Sequence, residues 1–154
     1  MRGYLIDANH VSAYHRQEST FMARLRKVTP DTLIRVCAVT LGEIEAGLLM
    51  TDTTNQQRRD EYLSFVIEEL LPYCLDITQT TRFTYAEIMA RLFRANPPAK
   101  SDLRTDVHLA SLGVDINDVW ICAVAWEHGL TLLTQDKMKQ IRSVVPEINV
   151  ESWI

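Results

Sequence analysis

Four acidic residues stand where predicted strands end or predicted helices begin. Asp7 follows an apolar run near the N-terminus, and Asp136 follows the apolar run at 130–134. Glu43 and Asp118 lie in the first turns of two predicted helices. In a parallel sheet, the carboxyl ends of the strands and the amino ends of the following helices face the same side, so we expect these acids to converge.

A cluster of carboxylates has a physical cost that a cation removes. Several carboxylates within a few ångströms repel one another, and some of them would have to take up protons. Mg²⁺ prefers such hard oxygen ligands and keeps waters that phosphate oxygens can replace. Metal ions bound in this way activate water and stabilise the leaving oxygen in phosphodiester cleavage. The four acids therefore indicate a metal-dependent phosphodiesterase.

Helix capping is the competing explanation for each acid taken alone. The stretch Thr40-Leu41-Gly42-Glu43 has the T-x-x-E pattern of a capping box. Asp118 is favoured by the positive end of a helix dipole, and Asp7 and Asp136 are suitable as ordinary N-caps. Capping does not explain why a carboxylate directly follows a buried strand at Asp7, beside the other three acids.

Short apolar strands alternate with helical patterns along the chain. Runs of β-branched and aliphatic residues predict strands at 3–7, 33–39, 73–77, 130–134 and 148–153. Apolar residues at helical spacing predict helices from Thr40, up to Pro72, at 81–95, up to Gly129 and at 137–144. The alternation predicts an α/β fold with a mainly parallel sheet, in one domain spanning 1–154.

The composition limits the classes of function. The formal net charge is −4, from 16 basic and 20 acidic side chains, so any nucleic-acid contact must use a local patch. The three cysteines lie in apolar stretches, and we expect buried, reduced thiols in a cytoplasmic setting. No apolar run is long enough to span a bilayer and no signal segment is evident, so we expect no membrane association.

Basic residues cluster on the predicted helix 81–95 and on the loop that follows it. They are Arg82, Arg91, Arg94, Lys100 and Arg104. They would form either a track for RNA phosphates or an ordinary solvated helix face.

Three stretches of the chain contain recognisable motifs: YLIDANH, VTLGEIEAGL and INDVWICAVAWEHGLTLLTQD. Together they resemble the PIN domain, and in particular the VapC-type toxin ribonucleases of toxin–antitoxin pairs. No single motif is specific, but the ordered set is: L-I-D-x-N, then T-x-x-E-x-x-x-G, then N-D-x-x-I-x-A-x-A, then T-x-D. The similarity covers nearly the whole chain.

The resemblance implies a three-layer α/β/α sandwich with a parallel sheet and Mg²⁺- or Mn²⁺-dependent endonucleolytic cleavage of RNA. Residue by residue, the family's acidic, metal-holding site matches Asp7, Glu43, Asp118 and Asp136, and its polar supporting positions match Asn9 and Thr134.

Two features depart from the family pattern, and one assignment needs a choice. Ala8 stands where the family usually has Thr or Ser, and the stretch 97–115 is longer than in a minimal member, as a substrate or partner arm would be. Asp115 competes with Asp118 as the third acid, but the following I-x-A-x-A pattern favours Asp118.

The resemblance also implies partners. They are an RNA substrate and a small cognate antitoxin. We also expect a homodimer, because exposed apolar helix faces are otherwise hard to place in a chain this small. An arginine of the antitoxin would bridge the carboxylates and occupy the place of the cation. A groove near Leu48, Leu49 and Leu63 would take an amphipathic segment of this partner.

Two other functions compete with a nuclease. A receiver-like signalling domain shares α/β layering and acids that bind Mg²⁺, with Asp76 as the phosphoacceptor. No acidic pair ends the first strand and no lysine closes the last one, which disfavours this alternative. The other is a catalytically inactive PIN-type module that only binds RNA or protein, against which the four retained acids argue.

Overall fold

The structure is a computed structural model that describes residues 3–51, 55–99 and 105–154. Its centre is a sheet of five strands in the order β3-β2-β1-β4-β5, with every neighbouring pair parallel. The strands are β1 Gly3–Ile6, β2 Leu33–Cys37, β3 Cys74–Leu75, β4 Thr131–Leu133 and β5 Val150–Glu151. The strand order reverses direction between β1 and β4, which makes this pair the switch point of the sheet.

Eight α-helices connect the strands in the part of the chain that the structure describes. They are α1 Ala8–His15, α2 Ser19–Leu25, α3 Ala38–Met50, α4 Gln56–Phe65, α5 Thr81–Ala95, α6 Thr105–Ser111, α7 Ile116–Glu127 and α8 Lys139–Val144. A π-helical turn, Val66–Leu70, and a 3-10 turn, Leu71–Tyr73, lead from α4 into β3.

Alternate side chains of β1 point into two separate cores. Leu5 belongs to the core that α5, α7 and α8 cover, together with Ile88, Cys122 and Ile141. Tyr4 and Ile6 belong to the opposite core, which includes Val11, Phe21, Leu41 and Trp153 from the other helices and the C-terminal segment. A sheet buried on both faces by helices is a three-layer α/β/α sandwich, so the predicted fold class is confirmed.

The element boundaries differ from the sequence prediction at several points. Strand β2 ends at Cys37, and α3 begins at Ala38 rather than at Thr40, because the apolar run through this region suits a strand and a buried helix equally. The helix predicted at 81–95 is confirmed as α5. Helices α1 and α2 were not predicted, because at seven or eight residues each they are too short to show a periodic pattern.

The stretch 97–115 contains α6, whose His108 and Leu109 are buried. Residues 100–104 of the suggested arm lie outside the described residues.

The suggested RNA track on α5 is largely occupied by contacts within the chain. Arg91 forms ion pairs with Glu87 at 2.8 Å and with Glu147 at 3.1 Å, and Arg94 lies 3.7 Å from Glu87. Lys100 and Arg104 lie outside the described residues. The interpretation of the described arginines as a solvated, ion-paired helix face therefore fits better than a phosphate track.

Among the described residues, no single helix has the length and apolar character needed to cross a membrane. Helices α6 and α7 meet that criterion only when they are taken together, and they are bent by 89° at the break between them.

Candidate active site

Asp7 links the end of β1 to the start of α1. Its backbone N–H donates to the carbonyl of Leu133 at the end of β4, at 3.0 Å. Its carboxylate caps α1, because Oδ1 accepts from the backbone N–H of His10 at 3.1 Å. The same Oδ1 lies 3.1 Å from Nδ1 of the His10 ring. Asp7 is therefore an N-cap at the switch point of the sheet, held by His10 through two contacts.

Asp136 lies in the tight turn that follows β4. Its backbone N–H donates to Oγ1 of the buried Thr134 at 3.1 Å, and its Oδ1 accepts from the backbone N–H of Met138 at 2.8 Å. The interpretation of Asp136 as the N-cap of the last helix is wrong. Met138 occupies that position in a left-handed conformation with φ of 48°, and Asp136 closes the turn before it.

Glu43 projects from the second turn of α3, because this helix begins at Ala38. The capping-box interpretation of Thr40 and Glu43 is therefore wrong. The N-cap is Cys37, and the Thr40 hydroxyl is buried 3.4 Å from the Cys37 sulfur. Glu43 instead accepts a hydrogen bond at Oε1 from Nδ2 of Asn117, at 2.9 Å.

Asp118 lies in the first turn of α7, as predicted from the sequence, and Asp115 is the N-cap of that helix. The pKa of the Asp118 carboxyl is raised to about 6, first by burial and then by the negative charges of Asp115, Asp136, Glu43 and Asp7. One carboxyl group thus senses the charge of every other predicted acid. Asp115, the rejected alternative for the third acid, contributes charge while its own Oδ1 accepts from the backbone N–H of Asn117 at 2.7 Å.

Three of the acids share one hydrogen-bonding arrangement. Asp7, Glu43 and Asp136 each use one carboxylate oxygen to accept from a donor of the protein. In the parts of the chain that the structure describes, the second oxygen of each has no protein donor. The donors fix each carboxylate and leave an oxygen for a cation or a substrate group.

The carboxylate oxygens of the four acids are the kind of ligand that Mg²⁺ or Mn²⁺ prefers. All four acids offer hard carboxylate oxygens, and the ring nitrogens of His10 are both engaged elsewhere. Within residues 3–51, 55–99 and 105–154, no three His, Cys, Asp or Glu side chains are close enough together to hold a metal ion in this structure. Burial first, and then repulsion by the other acids, raises the pKa of Asp118, and a bound cation would offset both costs of keeping this carboxylate charged.

The predicted supporting positions differ in their surroundings. Thr134 is buried and holds the Asp136 backbone, whereas Asn9 is exposed on α1 and its side chain makes no hydrogen bond within the described residues. Ala8, at the position where the family usually has a hydroxyl, packs partly buried against the core that contains Val11 and Phe21.

Two residues next to the acids were not among the predicted catalytic, metal-holding or supporting residues. His10 bonds Asp7, and Asn117 bonds Glu43 across 74 positions of the chain. The spacing of His10 from the N-cap, three residues, is the signal that could have identified it. Asn117 carries no comparable signal, because its partner is on another helix.

A cleft of about 430 Å³ opens beside Asp118 and Asp136. We call it the lysine cleft, because Lys137 and Lys139 line it together with Gln135 and Gln140. Neither lysine has an ion pair within the described residues. The lysine cleft therefore places two positive charges without ion-pair partners beside the acids.

We expect Asp118→Asn to stabilise the metal-free protein at neutral pH. The folded state raises the pKa of this carboxyl from 3.8 to about 6, so stability is lost as pH rises through that window and the full cost is present above pH 6. One pKa unit corresponds to about 1.4 kcal/mol, and partial exposure screens the charge, so we expect a gain of about 1–2 kcal/mol. Urea unfolding in EDTA at pH 7.5 measures it.

The gain should disappear at pH 4, where the Asp118 of the folded wild-type protein is itself protonated. Asp31→Asn is the matched control, because hydrogen bonding to Thr29 lowers the pKa of that exposed carboxyl, and removing it should give no gain. An Asp118→Asn protein no more stable than wild type at pH 7.5 would contradict a carboxylate destabilised by burial and by the charges of the other acids.

Solved structures share this fold. The chain resembles VapBC2 from Rickettsia felis bound to a DNA fragment from its promoter, with a TM-score of 0.72 and 18% identity over 99% of both chains. For DNA-bound VapBC from Salmonella typhimurium the TM-score is 0.70 and the identity 19%, over 100% of both chains. For VapBC-1 from nontypeable Haemophilus influenzae the values are 0.68 and 16%, over 98% of both. No curated protein sequence matches the chain.

The family assignment rests on a sequence model. The model of the PIN domain matches residues 4–144, a span that contains all four predicted acids and both predicted supporting residues. The resemblance noted in the sequence is thereby confirmed, and the chain belongs to the PIN domain family.

Proposed function

We propose that this protein is a metal-dependent endoribonuclease and the toxin component of a toxin–antitoxin pair. The observation that carries the proposal is the environment of Asp118 at the carboxyl edge of the sheet, where burial first and then the charges of the other acids raise the pKa of its carboxyl. PIN-domain membership supports a nuclease, and the fold shared with VapBC complexes supports a toxin.

Asp7, Glu43, Asp118 and Asp136 would hold the divalent cation, Mg²⁺ or Mn²⁺. When bound, such a cation polarises a phosphate oxygen and lowers the pKa of water. The chain's own residues set the geometry: Thr134 and Met138 fix the turn that carries Asp136, and Asn117 orients Glu43. No side-chain nucleophile is required by this arrangement.

The RNA backbone would enter along the lysine cleft. Lys137 and Lys139 flank the buried Met138, whose backbone is held by Asp136, so both lysines project from an anchored turn. Each phosphate that a lysine contacts releases counterions, which gives affinity without sequence specificity. The net charge of −4 makes such a local patch necessary for binding RNA.

The two competing functions fit less well. Asp76, the phosphoacceptor of the receiver-like alternative, is exposed after the edge strand β3, which β2 separates from β1. PIN-domain membership also disfavours this alternative. A purely binding PIN module would have no need to keep carboxylate oxygens free on three separate elements.

Sequencing of RNA 5′ ends after brief induction in a host cell tests the function directly. We expect new 5′ ends at defined positions, absent from a matched strain that expresses Asp7→Asn. Identical 5′ ends in both strains would overturn the assignment as an endoribonuclease. The positions of the cuts would also identify the substrate RNA.

A second groove is suited to a partner protein. This basic groove, of about 420 Å³, is lined by Leu48 from α3 and by Arg16, Arg58 and Arg59. An apolar wall with basic residues is complementary to an amphipathic segment that carries acidic side chains. We propose that the antitoxin lies in the basic groove and inserts an arginine among the four acids.

Co-expression with the small reading frame encoded beside this chain tests the partner. We expect a stable complex that does not cleave RNA, because an arginine fork bridges two carboxylates and excludes the cation. Replacing that arginine of the partner by alanine should restore cleavage, whereas replacing an arginine outside the contact should not. A chain that purifies alone, is harmless on expression and binds no neighbour product would overturn the toxin assignment.

We also propose a homodimer. Leu49 and Met50 at the end of α3 are 72% and 80% exposed, and Ile67 and Leu71 are 57% and 54% exposed. Apolar side chains this exposed are typical of a surface that a second copy covers.

A further inference from the structure

His10 is completely buried between Asp7 and the C-terminal segment of the chain. Its Nδ1 lies 3.1 Å from Oδ1 of Asp7, and its Nε2 lies 3.1 Å from the backbone N–H of Trp153. The ring therefore bridges residues 7 and 153, which are nearly the whole chain apart in sequence.

The hydrogen bond from Trp153 determines where the proton of the His10 ring lies. A backbone N–H can only donate, so Nε2 must accept from Trp153 and carries no hydrogen. The proton of the neutral ring is then on Nδ1, which donates it to Oδ1 of Asp7. The contact with Trp153 thus makes the ring a donor toward Asp7.

This arrangement constrains one oxygen of Asp7. Oδ1 accepts from both the backbone N–H and the Nδ1–H of His10, each at 3.1 Å. Two donors on one oxygen oppose rotation of the carboxylate, and the other oxygen, Oδ2, has no protein donor among the described residues. The orientation of Oδ2 therefore depends on the position of the His10 ring.

The ring of Trp153 is itself held firmly. It is buried, it packs edge-on against Tyr4 with a centroid distance of 4.8 Å, and it lies 5.6 Å from Phe21. Its Nε1 donates to Glu151 at 3.3 Å. The C-terminal segment is thus a rigid support for His10.

We propose that His10 is a positioning residue: the contact with Trp153 makes its Nδ1 a donor, and this donor orients the carboxylate of Asp7 toward its cation. This inference rests on the proposed function, because it assigns Asp7 to a metal site. Hydrogen-bond partners of metal-binding carboxylates typically change metal affinity or activity by about 10- to 100-fold when they are replaced.

Two substitutions separate the two hydrogen bonds of the ring. In His10→Asn the side-chain amide occupies about the position of Nδ1, so it can still donate to Asp7. In His10→Gln the amide reaches about the position of Nε2, so it can still accept from Trp153 but no longer supports Asp7. Both replace a buried ring by a smaller amide, so each is the control for the packing loss of the other.

The first measurement is Mn²⁺ binding, monitored through the electron paramagnetic resonance signal of the free ion. We expect His10→Gln to weaken Mn²⁺ binding by about 10- to 100-fold and His10→Asn to keep it close to the wild-type value. In RNA cleavage at saturating Mn²⁺, kcat should fall for His10→Gln while KM for RNA is unchanged. The kcat of His10→Asn should be close to the wild-type value.

The inference would be overturned if the two variants bound Mn²⁺ equally and if any loss of cleavage in each variant matched its loss of thermal stability. His10 would then be purely structural. If His10→Gln does not fold, His10→Asn alone decides: retained Mn²⁺ affinity supports the inference and a tenfold loss contradicts it. A wild-type protein that binds no Mn²⁺ and cuts no RNA would overturn the proposed function as well, so the two failures are distinguishable.

Discussion

Asp7→Asn is expected to reduce RNA cleavage by roughly 10²- to 10⁴-fold. A bound cation stabilises transition-state charge by several kcal/mol, and each 1.36 kcal/mol corresponds to about a tenfold change in rate. The substitution keeps the shape of the side chain but removes the negative charge from the residue at the switch point of the sheet.

The fold should survive this substitution, which makes the measurement interpretable. Asn is as good an N-cap as Asp, so its Oδ1 can still accept from the backbone and ring donors of His10. Relieved repulsion of Asp118 should offset any loss. Single-turnover cleavage with Mg²⁺ is the assay, with thermal unfolding measured in parallel.

Asp31→Asn is the matched control for the Asp7 experiment. It makes the same chemical change at an exposed residue just before β2, at the amino edge of the sheet and thus opposite the acids. We expect it to cleave at the wild-type rate. An Asp7→Asn protein that also cleaves at the wild-type rate would place the reaction elsewhere on the molecule.

The layer architecture and the longest helix could be predicted because their patterns are local. Helix α5 has apolar residues at helical spacing up to the Asn96-Pro97 stop, and its predicted bounds, 81–95, are observed. The end of β2 could not be predicted, because Val36, Cys37 and Ala38 are apolar on both sides of the boundary. In the structure the helix starts at Ala38, with Cys37 as its N-cap.

The acids were predictable as residue types at strand and helix ends, but their partners were not. The bond from Asn117 to Glu43 joins positions 74 apart, and the bond from Trp153 to His10 joins positions 143 apart. Such pairs form only after the sheet brings α3, α7 and the C-terminal segment together. A pattern within one window of sequence contains no information on them.

The same limit explains the two wrong capping assignments. Glu43 and Asp136 each lie near a helix start, so a local rule assigned them to capping. In the structure each accepts a hydrogen bond that serves another purpose, from Asn117 and from the Met138 backbone. Of the four predicted acids, Asp7 is the one that caps its helix, and it does so with the oxygen that the His10 ring also binds.

Removal of divalent metal is expected to abolish RNA cleavage, and added Mg²⁺ or Mn²⁺ to restore it. The four acids offer only hard oxygens, which these ions prefer. Zn²⁺ should restore little activity, because it favours imidazole and thiolate ligands. Both ring nitrogens of His10 are engaged, and burial raises the pKa of the Cys122 thiol to about 12, so neither provides such a ligand.

The metal should also stabilise the fold, which gives a readout independent of cleavage. A ligand that binds only the folded state at 100 times its Kd adds about 2.7 kcal/mol to the free energy of unfolding. We expect the unfolding temperature of the wild-type protein to rise with Mg²⁺ concentration. Asp7→Asn should show a smaller rise, because it lacks one of the proposed ligands, and Asp31→Asn should match the wild-type protein.

The combination of the two readouts distinguishes a metal enzyme from other ribonucleases. Loss of both cleavage and stabilisation in EDTA, with recovery in Mg²⁺, is the expected result. Cleavage that persists in excess EDTA would indicate general acid–base catalysis, in which a carboxyl such as Asp118, with its pKa of about 6, exchanges a proton with the substrate. In that case the raised pKa of Asp118 would serve proton transfer to or from the substrate. It would not be the mark of an environment that a bound cation relieves.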